Sequence, residues 1–204
     1  MTLSKLDLTV KYREYYTAES MPELVEFGCA QFLTIMGKGA PGSNEFTNKM
    51  EVLYSVAYAV KTFYKKQASD FVVPKLEGLW WVEFEKPVFE VSRDEWFWKL
   101  LIRMPEFVTS ETVEKAKVEI MKKRNRELIK EVRFEEMIEG ECVQIMHVGP
   151  YSTEPESLLK IRELMEENDL VENGPHHEIY LSDPRRVPVE QIKTILRQPV
   201  RKRA

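Results

Sequence analysis

Two cysteines, Cys29 and Cys142, are too few for a disulfide framework. The three histidines are His147, His176 and His177. The last two are adjacent, so a regular strand sends them to opposite faces and away from one metal. No apolar run approaches the roughly 20 residues of a membrane span. The opening stretch MTLSKLDLTVKYREYY lacks the apolar centre of a signal peptide. Basic residues are not in excess: 30 Lys and Arg stand against 34 Asp and Glu, a net charge of −4. That balance excludes non-specific nucleic-acid binding, which needs a basic face. The glycines of GKGAPGS (37–43) have neither P-loop spacing nor its Lys-Ser/Thr end, and no Gly-x-Ser-x-Gly elbow occurs. These absences describe a soluble protein of a reducing compartment, expected in the cytoplasm. They leave no call for a metal, a cofactor, a membrane or a direct nucleic-acid partner.

What is present is enough apolar material for a sizeable core: 43% of 204 residues are hydrophobic and 11% are aromatic, with four Trp. The chain also contains itself twice. FLTIMGKGAP (32–41) matches CVQIMHVGPY (142–151) through Ile35-Met36 and Gly39 against Ile145-Met146 and Gly149, an offset of 110 residues. KLLIRMPEFV (99–108) matches KTILRQPVRK (193–202) through Lys99, Arg103 and Pro105 against Lys193, Arg197 and Pro199, an offset of 94. Units of about 100 residues are too long for a solenoid and suit a duplicated α+β unit.

Each half carries a helix after its first strand. Pro41-Gly42-Ser43-Asn44 is a turn that supplies an N-cap. Phe46, Met50, Leu53, Val56, Ala57, Val60 and Phe63 then recur at helical spacing. In the second half Thr153 and Glu156 have capping-box spacing with Pro155 in the first turn, and Leu158, Ile161, Leu164 and Met165 form the stripe. Two strands follow each helix: 78–84 and 96–104, then 176–182 and 193–200. A helix over 110–130 joins the halves, and 131–138 is expected to fold back through Glu139-Gly140 onto 141–147 as a hairpin. Residues 1–20 are expected to wrap the surface or pair with an edge. The fold class is therefore α+β: two strand–helix–strand–strand repeats, about 25–108 and 131–200, related by a pseudo-two-fold axis within one domain. The ligand groove is expected between them.

VVPKLEGLWW (72–81), EGECVQIMHVGPY (139–151), HHEIYLSDP (176–184) and KTILRQPV (193–200) together resemble the stand-alone GyrI-like small-molecule-binding proteins. The likeness runs from about Val25 to Val200. It implies a pocket for a bulky aromatic, cationic or electrophilic molecule. Relatives include a gyrase inhibitor, the effector-binding domains of multidrug-sensing activators, and hydrolases that detoxify cyclopropane-bearing DNA alkylators. The duplicated unit uses most of the 204 residues, so no helix-turn-helix domain is expected beside it, which counts against an activator role.

The resemblance places Glu178, in the strand HHEIY, where relatives keep a pocket carboxylate. It implies aromatic walls at Trp80, Trp81, Tyr151 and Tyr180. Glu178 and Tyr151 are the expected catalytic pair. Trp80, Trp81, Tyr180, Glu77, Met146 and His147 are the expected substrate contacts. Alternation sets Trp80 and Trp81 on opposite faces, one in the core and one on the groove, with Trp80 favoured for the groove. It also sets His177, Ile179 and Leu181 against His176, Glu178 and Tyr180. Because Ile179 and Leu181 need the helix at 153–167 as their core, Glu178 is expected to point away from that helix. Arg103 and Arg197 read as a structural ion pair in each half. Three functions stay open: a hydrolase that adds water to a strained cyclopropane, a non-catalytic drug-binding or sensing module, and a gyrase-interacting protein.

Overall fold

The computed structural model describes residues 5–83, 91–124 and 127–203. Phe84 of one expected strand and Asn125-Arg126 of the expected linking helix lie outside them. The element order is α1 (Leu8–Lys11), β1 (Glu23–Lys38), α2 (Asn44–Lys66), β2 (Leu76–Trp81), β3 (Phe97–Met104) and α3 (Ser110–Arg124). It continues with β4 (Arg133–Val148), α4 (Glu154–Glu167), β5 (Leu170–Glu172), β6 (His176–Tyr180) and β7 (Lys193–Lys202). The strand–helix–strand–strand order thus recurs, with the short β5 added the second time. No helix among the described residues is long and apolar enough to cross a membrane.

The chain forms two compact units: Met1–Lys11, Ala30–Pro74 and Trp80–Met137 in the first, and Tyr12–Cys29, Lys75–Leu79 and Ile138–Ala204 in the second. In unit one, β1 pairs antiparallel with β3, Gln31 opposite Met104 and Lys38 opposite Phe97. Ser43 caps α2 by accepting a hydrogen bond from the Phe46 amide at 3.2 Å, as the turn residues foretell. Val52, Leu53, Val56, Ala57 and Val60 are its buried stripe. Gly37 lies opposite Trp98 in the β1–β3 pair, and a Cβ there would overlap the indole ring.

In unit two, β7 pairs antiparallel with β4, β5 and β6. Val143, Ile145, Leu196 and Val200 form a core with Ile161 and Met165 of α4. Thr153 is not a capping-box residue. Its backbone is already helical (φ −101°, ψ 0°), and its hydroxyl donates instead to the Pro150 carbonyl at 2.9 Å.

The hairpin expected at Glu139-Gly140 does not form; β4 runs unbroken from Arg133 to Val148. A two-residue type I′ turn needs positive φ at both central positions, and here only Gly140 has it (φ 73°). Of the expected linking helix, Ser110–Arg124 is helical, and Glu127–Glu131 forms a 3₁₀ turn. The N-terminal stretch does more than wrap a surface. Leu8, Tyr15 and Tyr16 are buried, and the Glu19 carbonyl accepts from the Met146 amide at 2.7 Å. Both cysteines are free thiols; Cys142 is buried and Cys29 is exposed.

Candidate functional site

Strand β6 organises the site because its two faces are chemically different. Alternation holds: His177 and Ile179 are fully buried, while His176, Glu178 and Tyr180 are partly so. The register with β7 then decides which face is which. Glu178 lies opposite Leu196, and Ile145 lies opposite Leu196 on its other side. Both apolar residues belong to the core that α4 covers. Directly opposed residues share a face, so Glu178 is on the α4 side. This overturns the expectation that it points away from that helix. Ile179 finds its core against Ile195 on the other face.

The face of Glu178 holds a row of polar and aromatic groups. Its carboxylate is 15% exposed, and Oε1 lies 3.7 Å from Nε2 of His176. Tyr180 meets Tyr151 edge-on, ring centres 6.3 Å apart. Tyr151 precedes α4 and is 41% exposed, so this end of the row reaches solvent. Burial, reinforced by the negative charges of Glu154, Glu178 and Asp183, raises the Tyr151 pKa and keeps its phenol protonated. Thr194 lies opposite Tyr180. The Thr194 hydroxyl and His176 Nε2 are buried without a hydrogen-bond partner among the described residues. Orphaned buried polar atoms are rare in native folds and costly unless something completes them.

The opposite face of β6 carries a buried charge network. His177 donates through Nε2 to Glu77 at 3.1 Å and through Nδ1 to Glu139. Only an imidazolium has two N–H donors. Burial opposes that charge, but the two carboxylates prevail and raise the His177 pKa to about 9. Burial also opposes ionisation of Glu139, yet His177 and Arg197 pull it down to about 2. Arg197 donates to Glu139 at 2.8 Å, to Gln144 at 3.0 Å and to the Tyr15 carbonyl at 2.8 Å. Its guanidinium also covers the rings of Phe27 and Tyr15, 4.0 and 4.5 Å from their centres. Glu77 further accepts from the Tyr15 hydroxyl at 2.6 Å. Two carboxylates and two cations balance. The Arg197 ion pair is the one anticipated from the repeat.

Of the remaining expected residues, His147 shares the face of Tyr180, since Thr194 lies opposite both, and the others sit elsewhere. Glu77 has no exposure and serves His177, Tyr15 and Tyr16 on the face away from Glu178. Met146 is half-buried on that same side of the sheet, opposite Ile195. His147 is pinned: Nε2 to the Pro150 carbonyl at 3.1 Å, Nδ1 to the Ser157 hydroxyl at 3.0 Å. It lines a hollow of about 350 Å³ with Ser157 and Lys160. Trp80 and Trp81 belong to unit one. Trp80 is 5% exposed and stacked on Phe46 at 5.9 Å, because its face meets the start of α2. Trp81 is the partly exposed ring, stacked on Phe97 at 5.9 Å. Sequence reasoning missed His176, Thr194, Tyr15, Tyr16 and Glu139. A visible signal existed for the network: Arg197 interrupts the apolar run TIL and must find a partner when that run is buried.

The family model of the GyrI-like small molecule binding domain matches residues 31–201. The chain belongs to the GyrI-like family. An uncharacterized conserved protein of Listeria innocua is similar over 97% of this chain and all of its own, at 39% identity and a TM-score of 0.90. A hydrolase of the same organism is 37% identical over the same shares, with a TM-score of 0.87. The C-terminal domain of EcmrR, at 13% identity and a TM-score of 0.61, covers 90% of this chain and 98% of its own and shares the fold. No curated protein matches the chain in sequence. This GyrI-like protein therefore carries a small-molecule-binding domain, as its family does.

Proposed function

We propose that this GyrI-like protein is a hydrolase of bulky, flat, electrophilic small molecules of the cyclopropanoid type, and so a detoxifying enzyme of the cytoplasm. The observation that carries the reading is Glu178 partly buried on the α4 face of β6, with the tyrosine pair of Tyr151 and Tyr180 on the same row. The hydrolase of Listeria innocua, at 37% identity, supports it.

In this reading the tyrosine rings hold the aromatic body. Glu178 takes a proton from water as the water oxygen bonds to the least hindered cyclopropane carbon. The strained C–C bond breaks, and its electron pair passes through the dienone to the carbonyl oxygen. The Tyr151 hydroxyl donates a hydrogen bond to that oxygen as it becomes a phenolate. The proton returns from Glu178 through solvent to the phenolate, so the net change is addition of one water. The test is to incubate the protein with a duocarmycin-type cyclopropanoid and follow product mass. A product one water heavier, formed at a rate set by protein concentration, is expected. An unchanged compound that nevertheless binds would favour a non-catalytic drug-binding module, with Glu178 as counter-ion to a cationic aromatic ligand.

A further inference from the structure

The strand that carries Glu178 places a second acceptor beside it. His176 is two residues away on the same face, its Nε2 is buried without a hydrogen bond among the described residues, and that atom is 3.7 Å from Glu178 Oε1. This gap is too long for a direct hydrogen bond. It is short enough for one oxygen to lie about 2.8 Å from both atoms. Burial, then the positive charge of His177 next to it, lower the His176 pKa to about 4. The ring is therefore neutral at ordinary pH and keeps one nitrogen as an acceptor.

We propose that His176 Nε2 and Glu178 Oε1 together hold one water by its two hydrogens, which makes His176 a further residue of the hydrolytic site. This rests on the hydrolase reading above. A water held by both hydrogens presents its lone pairs outward, toward an electrophile on the tyrosine side. Glu178 takes one hydrogen as the C–O bond forms; His176 keeps the other and fixes the direction of attack. The buried network has a part in this. Glu77 and Glu139 hold His177 as a cation, and its charge adds to burial in keeping His176 neutral.

Two variants test it. His176→Phe keeps a flat ring and removes the acceptor; His176→Gln restores an acceptor oxygen near the position of Nε2. The expected result is a fall in kcat of about tenfold or more for the Phe variant, the cost of about one hydrogen bond to the reacting water. KM and the melting temperature should be unchanged, with at least partial recovery in the Gln variant. Equal kcat in wild type and the Phe variant would overturn the proposal. So would parallel losses of kcat and melting temperature in both variants, which mark a structural role. Should the Phe variant not fold, His176→Leu asks the same question. A second measurement needs no turnover: the ¹⁵N spectrum of His176 in the free protein. Nε2 is expected to be the unprotonated, hydrogen-bonded nitrogen, and its resonance should move in Glu178→Gln while those of His177 stay. A protonated Nε2, or one indifferent to Glu178, overturns the shared water. Wild-type protein that never hydrates a cyclopropanoid would instead overturn the hydrolase reading alone.

Discussion

His176 and His177 are adjacent on β6, one neutral and the other a cation. His177 bridges Glu77 and Glu139 as a cation, while the Nε2 of His176 sits 3.7 Å from Glu178 in a neutral ring. One peptide bond separates a residue that must be charged from one that must not be.

The pair gives stability a pH optimum. His177 is raised from its ordinary 6.5 to about 9, so its contribution is complete below pH 6.5 and is lost as pH climbs through 9. His176 is lowered from 6.5 to about 4, so its contribution is complete above pH 6.5 and is lost as pH falls through 4. Denaturant unfolding across pH should peak near pH 6.5. His177→Gln should flatten the alkaline limb and His176→Gln the acidic one. Limbs unchanged in both variants would contradict these charge states.

The Glu139–Arg197 pair is buried and hydrogen-bonded on all sides. Arg197→Met removes one of the two cations that meet Glu139 among the described residues, together with the guanidinium donor to the Tyr15 carbonyl. Breaking a buried pair from one side costs about 3–5 kcal/mol. Glu139→Gln combined with Arg197→Met should recover part of that loss, since no unpaired charge remains from the pair. Denaturant titration of the three variants measures it; a loss below about 1 kcal/mol for Arg197→Met, the level of exposed pairs, would count against a buried network.

In unit one, Gly37→Ala pushes a methyl into the Trp98 ring, which is completely buried beneath Phe46. Overpacking of this kind costs about 1–3 kcal/mol. Adding Trp98→Phe should restore part of it, measurable as a rise in unfolding midpoint of the double variant over Gly37→Ala.

The alternation of β6 and the capped helix α2 were legible because each depends on local spacing alone, and the paired Arg197 because it recurs in the internal repeat. The face of Glu178 was not. Alternation separates two faces but cannot say which one a helix covers; that required the register of Leu196 across β7. Tyr15 and Tyr16 were hidden for a related reason, as their partner Glu77 is some 60 residues away and no periodicity connects them. Glu139 was read as a turn residue because Glu-Gly between two apolar runs looks like a hairpin. The strand instead passes straight through, and the carboxylate is spent on His177 and Arg197.

The central claim is that Glu178 is the base of a hydrolytic site. Glu178→Gln keeps size and hydrogen bonding and removes basicity. Single-turnover hydration of a cyclopropanoid should fall by about 10²-fold or more, the usual loss when a general base is removed. The unfolding midpoint and the affinity for the hydrated product should stay at wild-type values. Hydration at the wild-type rate by a folded Glu178→Gln protein would contradict the account.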